Sequence, residues 1–185
     1  ANIVFARPRC ADNNVISGNT LKRVALRAVV TGGNPAVGNY AAIRLNYASN
    51  NTVENNILED MGGTVWPAWI CGVDVQAEEV DAANNPAPGG MTMNNDILNN
   101  TIRYYLHAGN IASDAIGILI RAGQNHLVQG NTIHNTGNMQ IGIDIRTTDR
   151  MEINENEIEG MVYAGLYLRG GTVTNRLTVK GNKFT

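Results

Sequence analysis

Six stretches of the chain share one spelling, and that repetition limits the fold more than any other feature. VISGNTL, TVENNIL, DILNNTI, LVQGNTI, EINENEI and TVKGNKF each read apolar-x-x-Asn-x-apolar, with the asparagine at Asn19, Asn56, Asn100, Asn131, Asn156 and Asn182. A second phrase recurs beside it: IGILIRAG, IGIDIRTT and AGLYLRGG carry a glycine, alternating apolar residues and a closing arginine. Its glycine position is occupied in turn by Asn2, Ala42, Gly72, Gly117, Gly142 and Gly165. The phrases keep their spelling while the segments between them vary in length. Self-similarity of this kind is the mark of stacked structural units, each contacting only its neighbours.

The short phrases alternate with a period of two, as strands do, and the shortest connectors leave no room for crossover helices. An uninserted repeat of about 25 residues fits three short strands per coil. The predicted fold is therefore all-β: a parallel β-helix, a solenoid of about six coils. The recurrent asparagine belongs in the turn between the second and third strands. There its amide can bond to its copy one coil above, satisfying groups that would otherwise be buried unpaired. A leucine-rich repeat has a similar period, but its leucine spacing is absent.

The ladder of asparagine turns followed by Gly-Ile-x-Ile resembles the right-handed parallel β-helix of the pectate-lyase-like superfamily. That group includes pectate lyases, polygalacturonases, alginate epimerases and phage tailspikes. The resemblance spans essentially the whole chain, so residues 1–185 are expected to form one domain. Insertions are expected at 22–41, 59–71, 77–92 and 103–115. An open strand edge at either end is an aggregation hazard, and neither end spells a cap. The expectation is a piece of a longer polypeptide, or an oligomer that covers the ends, a trimer if the tailspike likeness holds.

Composition excludes some functions. The formal charge is −2, so no basic surface of nucleic-acid-binding type is indicated, and no apolar run reaches membrane-spanning length. Cys10 and Cys71 match no metal-binding or redox spacing. His107, His126 and His134 fall outside the columns that the repeat defines.

In the glycine phrase, side chains alternate between the coil interior and the outside. The first outward column reads Val4, Arg44, Asp74, Leu119, Asp144, Tyr167. The second reads Ala6, Asn46, Gln76, Arg121, Arg146, Arg169. Arginines stacked one coil apart, about 4.8 Å, repel unless anions neutralise them. Asp144 and Asp149 are the candidate neighbours, and a bound acidic glycan is the alternative. Asp74 and Asp144, two rungs apart, stand about 9–10 Å from one another, near the separation that inverting glycosidases use to admit a water. They are the candidate acid and base. The connectors around Asp74 carry Trp66, Trp69 and Glu78, whose rings could stack on sugars and whose carboxylate could help hold them. With Arg44, Gln76, Arg121, Arg146, Tyr167 and Arg169 they form the expected substrate surface. No metal cluster is apparent. A Ca²⁺ site from Asp74 with Glu78, Glu79 or Asp81 is allowed by ligand chemistry, though no cofactor is expected.

The catalytic phrases of the superfamily are missing: the Asn-Thr-Asp, Asp-Asp and Gly-His-Gly of polygalacturonases, and the Asp-Pro-His of alginate epimerases. The expected function is binding, and cleavage by hydrolysis or elimination, of an extracellular or capsular polysaccharide, on a secreted or virion protein. The alternative is a non-catalytic spacer or adhesin segment.

Overall fold

The structure is a computed structural model. It describes residues 3–5, 12–22, 39–60, 69–76, 92–104, 115–137, 139–146, 148–169 and 176–185, with backbone alone for 3–5, 39, 40, 69 and 104. All its regular elements are strands, and they come in threes. The first coil is β1 (Ile3–Phe5), β2 (Val15–Ser17) and β3 (Thr20–Lys22). The second is β4 (Asn39–Asn46), β5 (Thr52–Glu54) and β6 (Ile57–Glu59). The third comprises β7 (Trp69–Gln76), β8 (Asp96–Leu98) and β9 (Thr101–Tyr104); the fourth, β10 (Ala115–Ile120), β11 (Leu127–Gln129) and β12 (Thr132–Asn135). β13 (Ile141–Ile145), β14 (Met151–Asn154) and β15 (Glu157–Glu159) make the fifth coil. The sixth is β16 (Ala164–Leu168), β17 (Leu177–Lys180) and β18 (Lys183–Phe184). Every third strand pairs in parallel, giving three six-stranded sheets: a first sheet β1-β4-β7-β10-β13-β16, a second from β2 to β17 and a third from β3 to β18. This is the predicted β-helix of six coils. Strands reach into the ends of each expected insertion except 77–92: residues 22, 39–41, 59, 69–71, 103–104 and 115 are strand.

The interior is a stack of aliphatic rungs. Val53 and Leu58, Ile97 and Ile102, Val128 and Ile133, and Ile153 and Ile158 come from the second and third sheets. They meet Ile43, Val73, Ile118 and Ile143 of the first. One slip in the alternation explains the glycine column. Ala42 and Ile43 are consecutive, yet both belong to the core, whereas Ala41 lies on the outer face. The strand therefore bends inward there. A Cβ on Gly117 would stand 2.6 Å from the carbonyl oxygen of Gly142 and 2.8 Å from Ile133 Cγ2. A Cβ on Gly72 would meet the Gly117 carbonyl oxygen at 2.6 Å as well. At Gly72 and Gly117 the coils close onto each other at this bend, and a side chain has no room there.

The asparagine turn is built as expected. Asn56 Oδ1 accepts the backbone N–H and the side-chain N–H of Asn19, both at 3.0 Å, and Asn56 donates in the same way to Asn100. The pattern continues through Asn131 and Asn156 to Asn182. The residue before each ladder asparagine takes a left-handed backbone: Gly18 at φ 68°, Asn55 at 53°, Asn99 at 53°, Gly130 at 66°, Glu155 at 56°, Gly181 at 67°. Glycine and asparagine tolerate this conformation best, and the pair Gly/Asn-Asn marks five of the six corners, Glu155 standing at the other.

A second ladder of the same design occupies the turn between the first and second sheets. Asn51 Oδ1 accepts from Asn14, and Asn95 Oδ1 accepts from Asn51. In the next coil His126 takes the place of asparagine, its Nδ1 accepting the Asn95 N–H at 3.2 Å. His126 thus belongs to a repeated column, contrary to expectation, and is 1% exposed.

Candidate functional site

The register of the first sheet fixes the first outward column and all of the second but Ala6, which lies outside the described residues. Val4 pairs with Arg44, Arg44 with Asp74, Asp74 with Leu119, Leu119 with Asp144, and Asp144 with Tyr167. Asn46 pairs with Gln76 in the second column. Above them the N–H groups of Arg121, Arg146 and Arg169 donate to Val75, Ile120 and Ile145 in turn, which stacks the three arginines.

What outward means here differs from the expectation. Asp74 and Asp144 face away from the core, yet both are fully buried. On one side lies an apolar stripe on the outer face of the sheet, Ala41, Cys71, Ile116 and Ile141, joined by Leu119 and all buried. On the other side are the arginines, which lie across the carboxylates. Asp74 Oδ2 accepts from Arg44 Nε at 3.1 Å and from Arg121 Nη2 at 3.3 Å, with Arg121 Nε 3.2 Å from Oδ1. Asp144 Oδ2 accepts from Arg169 Nε at 2.9 Å and from Arg146 Nη2 at 3.3 Å. Each carboxylate therefore ties two guanidinium groups from different positions of the ladder. Arg44, Arg121, Arg146 and Arg169 remain 18%, 16%, 19% and 33% exposed. Asp149, expected to share this work, pairs instead with Arg150, Nε to Oδ2 at 3.3 Å.

The electrostatics follow from that burial. Desolvation pushes the Asp74 carboxyl above its ordinary value, against the pull of Arg121 and Arg44. Burial likewise raises the Cys71 thiol well above its usual range, with Asp74 adding to it. Desolvation lowers the Arg121 guanidinium, and Asp74 opposes that. Asp144 Oδ1 is buried with no hydrogen-bond partner among the described residues.

At the last coil the columns end in an aromatic group. Tyr167 and Tyr163 pack edge to face with ring centroids 5.2 Å apart, and the Arg169 guanidinium lies 5.2 Å from the Tyr167 ring centre. Tyr163 is 64% exposed. Tyr163 went unnoticed in the sequence because it precedes the repeated phrase; its signal was proximity to Tyr167. Trp66 and Glu78, like Glu79 and Asp81 of the candidate Ca²⁺ site, lie outside the described residues. Trp69 begins β7, and its side chain is likewise outside them. Among the described residues, no group of three or more His, Cys, Asp or Glu side chains could hold a metal ion. Among them too, no helix is long and apolar enough to cross a membrane.

Three parallel sheets wound coil on coil, with an internal asparagine ladder and a laddered outer face, define a β-helix solenoid. The chain belongs to the family described as the right handed beta helix region, whose model matches residues 9–185. No curated protein and no solved structure matches it.

Proposed function

We propose that this β-helix binds an extended acidic polysaccharide along the outer face of its first sheet, on an extracellular or virion protein. One observation carries the reading: the arginines of the face are partly exposed and yet held in fixed orientation by buried carboxylates. A guanidinium oriented in advance loses less freedom when it binds, and its fork suits a sugar carboxylate or sulfate. Tyr163 and Tyr167, at the end of the same face, supply ring surface on which a pyranose can stack. Asp74 and Asp144 act in this reading as anchors for the arginines.

Cleavage is the second reading, favoured by the raised Asp74 carboxyl, the property a general acid needs. It requires Asp74 or Asp144 to exchange its arginine partners for substrate. One experiment separates the two. The chain is incubated with a panel of acidic and neutral bacterial polysaccharides, and retention, new reducing ends and unsaturated uronate absorbance are recorded together. Retention of acidic glycans with no new ends is the expected result. New ends lost in Asp74→Asn establish cleavage, and absence of both retention and cleavage across the panel leaves the spacer or adhesin segment.

A further inference from the structure

A groove of about 340 Å³ lies on a different face, where the turn into the second sheet passes through the fourth, fifth and sixth coils. Leu127 and the buried Met151 form its apolar side, and Glu152 and Thr178 face outward from neighbouring strands. Arg150 and Arg176 stand at its rim. They occupy the same turn on adjacent rungs, since Met151 N–H donates to Arg176 O at 2.8 Å. Their Cα atoms are thus about 5 Å apart.

The local rule of the solenoid is broken at this point. Asn13, Asn50, Asn94 and Asn125 hold the left-handed corner position at φ 61°, 58°, 53° and 56°, and the fifth coil places Arg150 there at φ 49°. An arginine in that conformation is strained, and such strain tends to collect at functional positions. The next position departs as well: His126 and then Met151 replace the ladder asparagine, so the amide ladder has already ended at Asn95. Glu155, another left-handed residue of the fifth coil, receives a hydrogen bond from Gln129, whereas the Arg176 side chain has no partner among the described residues.

The charges restrict the ligand. Asp149 sits behind Arg150 on Nε, and Glu152 lies in the groove, where it accepts from Asn154. Glu152 in the groove and Asp149 on Arg150 offset much of the two guanidinium charges, so long-range attraction for a bare inorganic anion is weak. Direct bidentate contact supplies the affinity, while Glu152 and Thr178 can receive or donate to hydroxyls and Leu127 can lie against an apolar ring face. The volume is at the small end of ligand sites. We infer that the groove binds a single acidic sugar unit, its oxyanion held between Arg150 and Arg176. The inference is independent of glycan binding on the first sheet.

The test is an NMR titration of the full chain with glucuronate, glucose and inorganic sulfate. Glucuronate is expected to bind in the millimolar range and to shift the amides of Leu127, Glu152 and Thr178. Sulfate is expected to be weaker and glucose silent. Arg150→Asn restores the corner residue of the first four coils, so it should keep or raise the urea midpoint while weakening glucuronate about tenfold or more. Arg176→Gln should weaken it comparably. No shift at these amides, or both variants binding as the parent does, overturns the site. Sulfate binding as tightly as glucuronate overturns the sugar. Shifts at Arg121, Arg146 and Arg169 report on the first-sheet face separately.

Discussion

His126 shows how a single residue can copy a ladder asparagine and bring a new property with it. Its Nδ1 must stay unprotonated to accept the Asn95 N–H, while Nε2 lies 3.2 Å from the Ala122 carbonyl oxygen and donates to it. Burial holds its pKa down at about 4. Because the folded value lies below the ordinary 6.5, the unfolded chain takes up the proton first as pH falls. The contribution of neutral His126 is complete above pH 6.5 and is lost progressively down to about pH 4, a total of about 3 kcal/mol. Urea unfolding across that range should show the loss, and His126→Asn should flatten that part of the profile while the protein stays folded. A profile unchanged by the substitution would place the titration elsewhere. Asp74 makes a second test at this scale. Asp74→Asn leaves Arg44 and Arg121 without their shared carboxylate, so stability should fall by about 2–3 kcal/mol in denaturant titration. A neutral effect would mean that these partly exposed arginines are solvated well enough without it.

At the level of elements, the rung glycines and the ladder asparagines hold the coils together in opposite ways, one by leaving space and the other by filling it with hydrogen bonds. Gly117→Ala puts a methyl group against the Gly142 carbonyl oxygen and Ile133, neither of which is the free end of a flexible chain. It should cost about 3 kcal/mol, the upper part of the overpacking range, visible as a lowered urea midpoint. The strands and the glycine column were legible because each coil repeats the same inward residues, and a one-residue shift would turn Val73 and Val75 outward. Both outward columns were legible for the same reason. Their environment was not. Facing outward at Asp74 or Asp144 does not mean meeting water, because arginines from neighbouring coils fold across them and the Cys71–Ile116–Ile141 stripe closes the other side. Nothing in a strand's own alternation encodes that cover. The second ladder escaped notice because its column changes chemistry, from Asn95 to His126 to Met151. The doublets Asn13-Asn14, Asn50-Asn51 and Asn94-Asn95 were its trace in the sequence.

Across the whole molecule, the solenoid makes energy local along one axis. Each coil touches the coils above and below, and its polar ladders run along the stack, so a defect should be felt one coil away and fade beyond. The same geometry holds the face arginines in a straight line at the coil spacing, which suits a repeating polymer better than a compact ligand. The locality can be measured. Asn100 and Asn131 share hydrogen bonds, with Asn131 Oδ1 accepting at 2.9 Å and 3.0 Å. Asn131 also donates to Ile97 O and to Asn156 Oδ1. Asn131→Ala should therefore cost about 3 kcal/mol or more, since several buried groups lose their partners. Once it is made, Asn100→Ala removes bonds already broken, and the pair should fall short of the sum by about 1 kcal/mol or more. Asn56 and Asn182 stand four rungs apart, about 19 Å, with three ladder asparagines between them. Their alanine substitutions should add within about 0.5 kcal/mol. Equal coupling in the near and the far pair, read from urea midpoints of the four single and two double variants, would show that the coils unfold as one rigid body and that the ladder carries strain end to end.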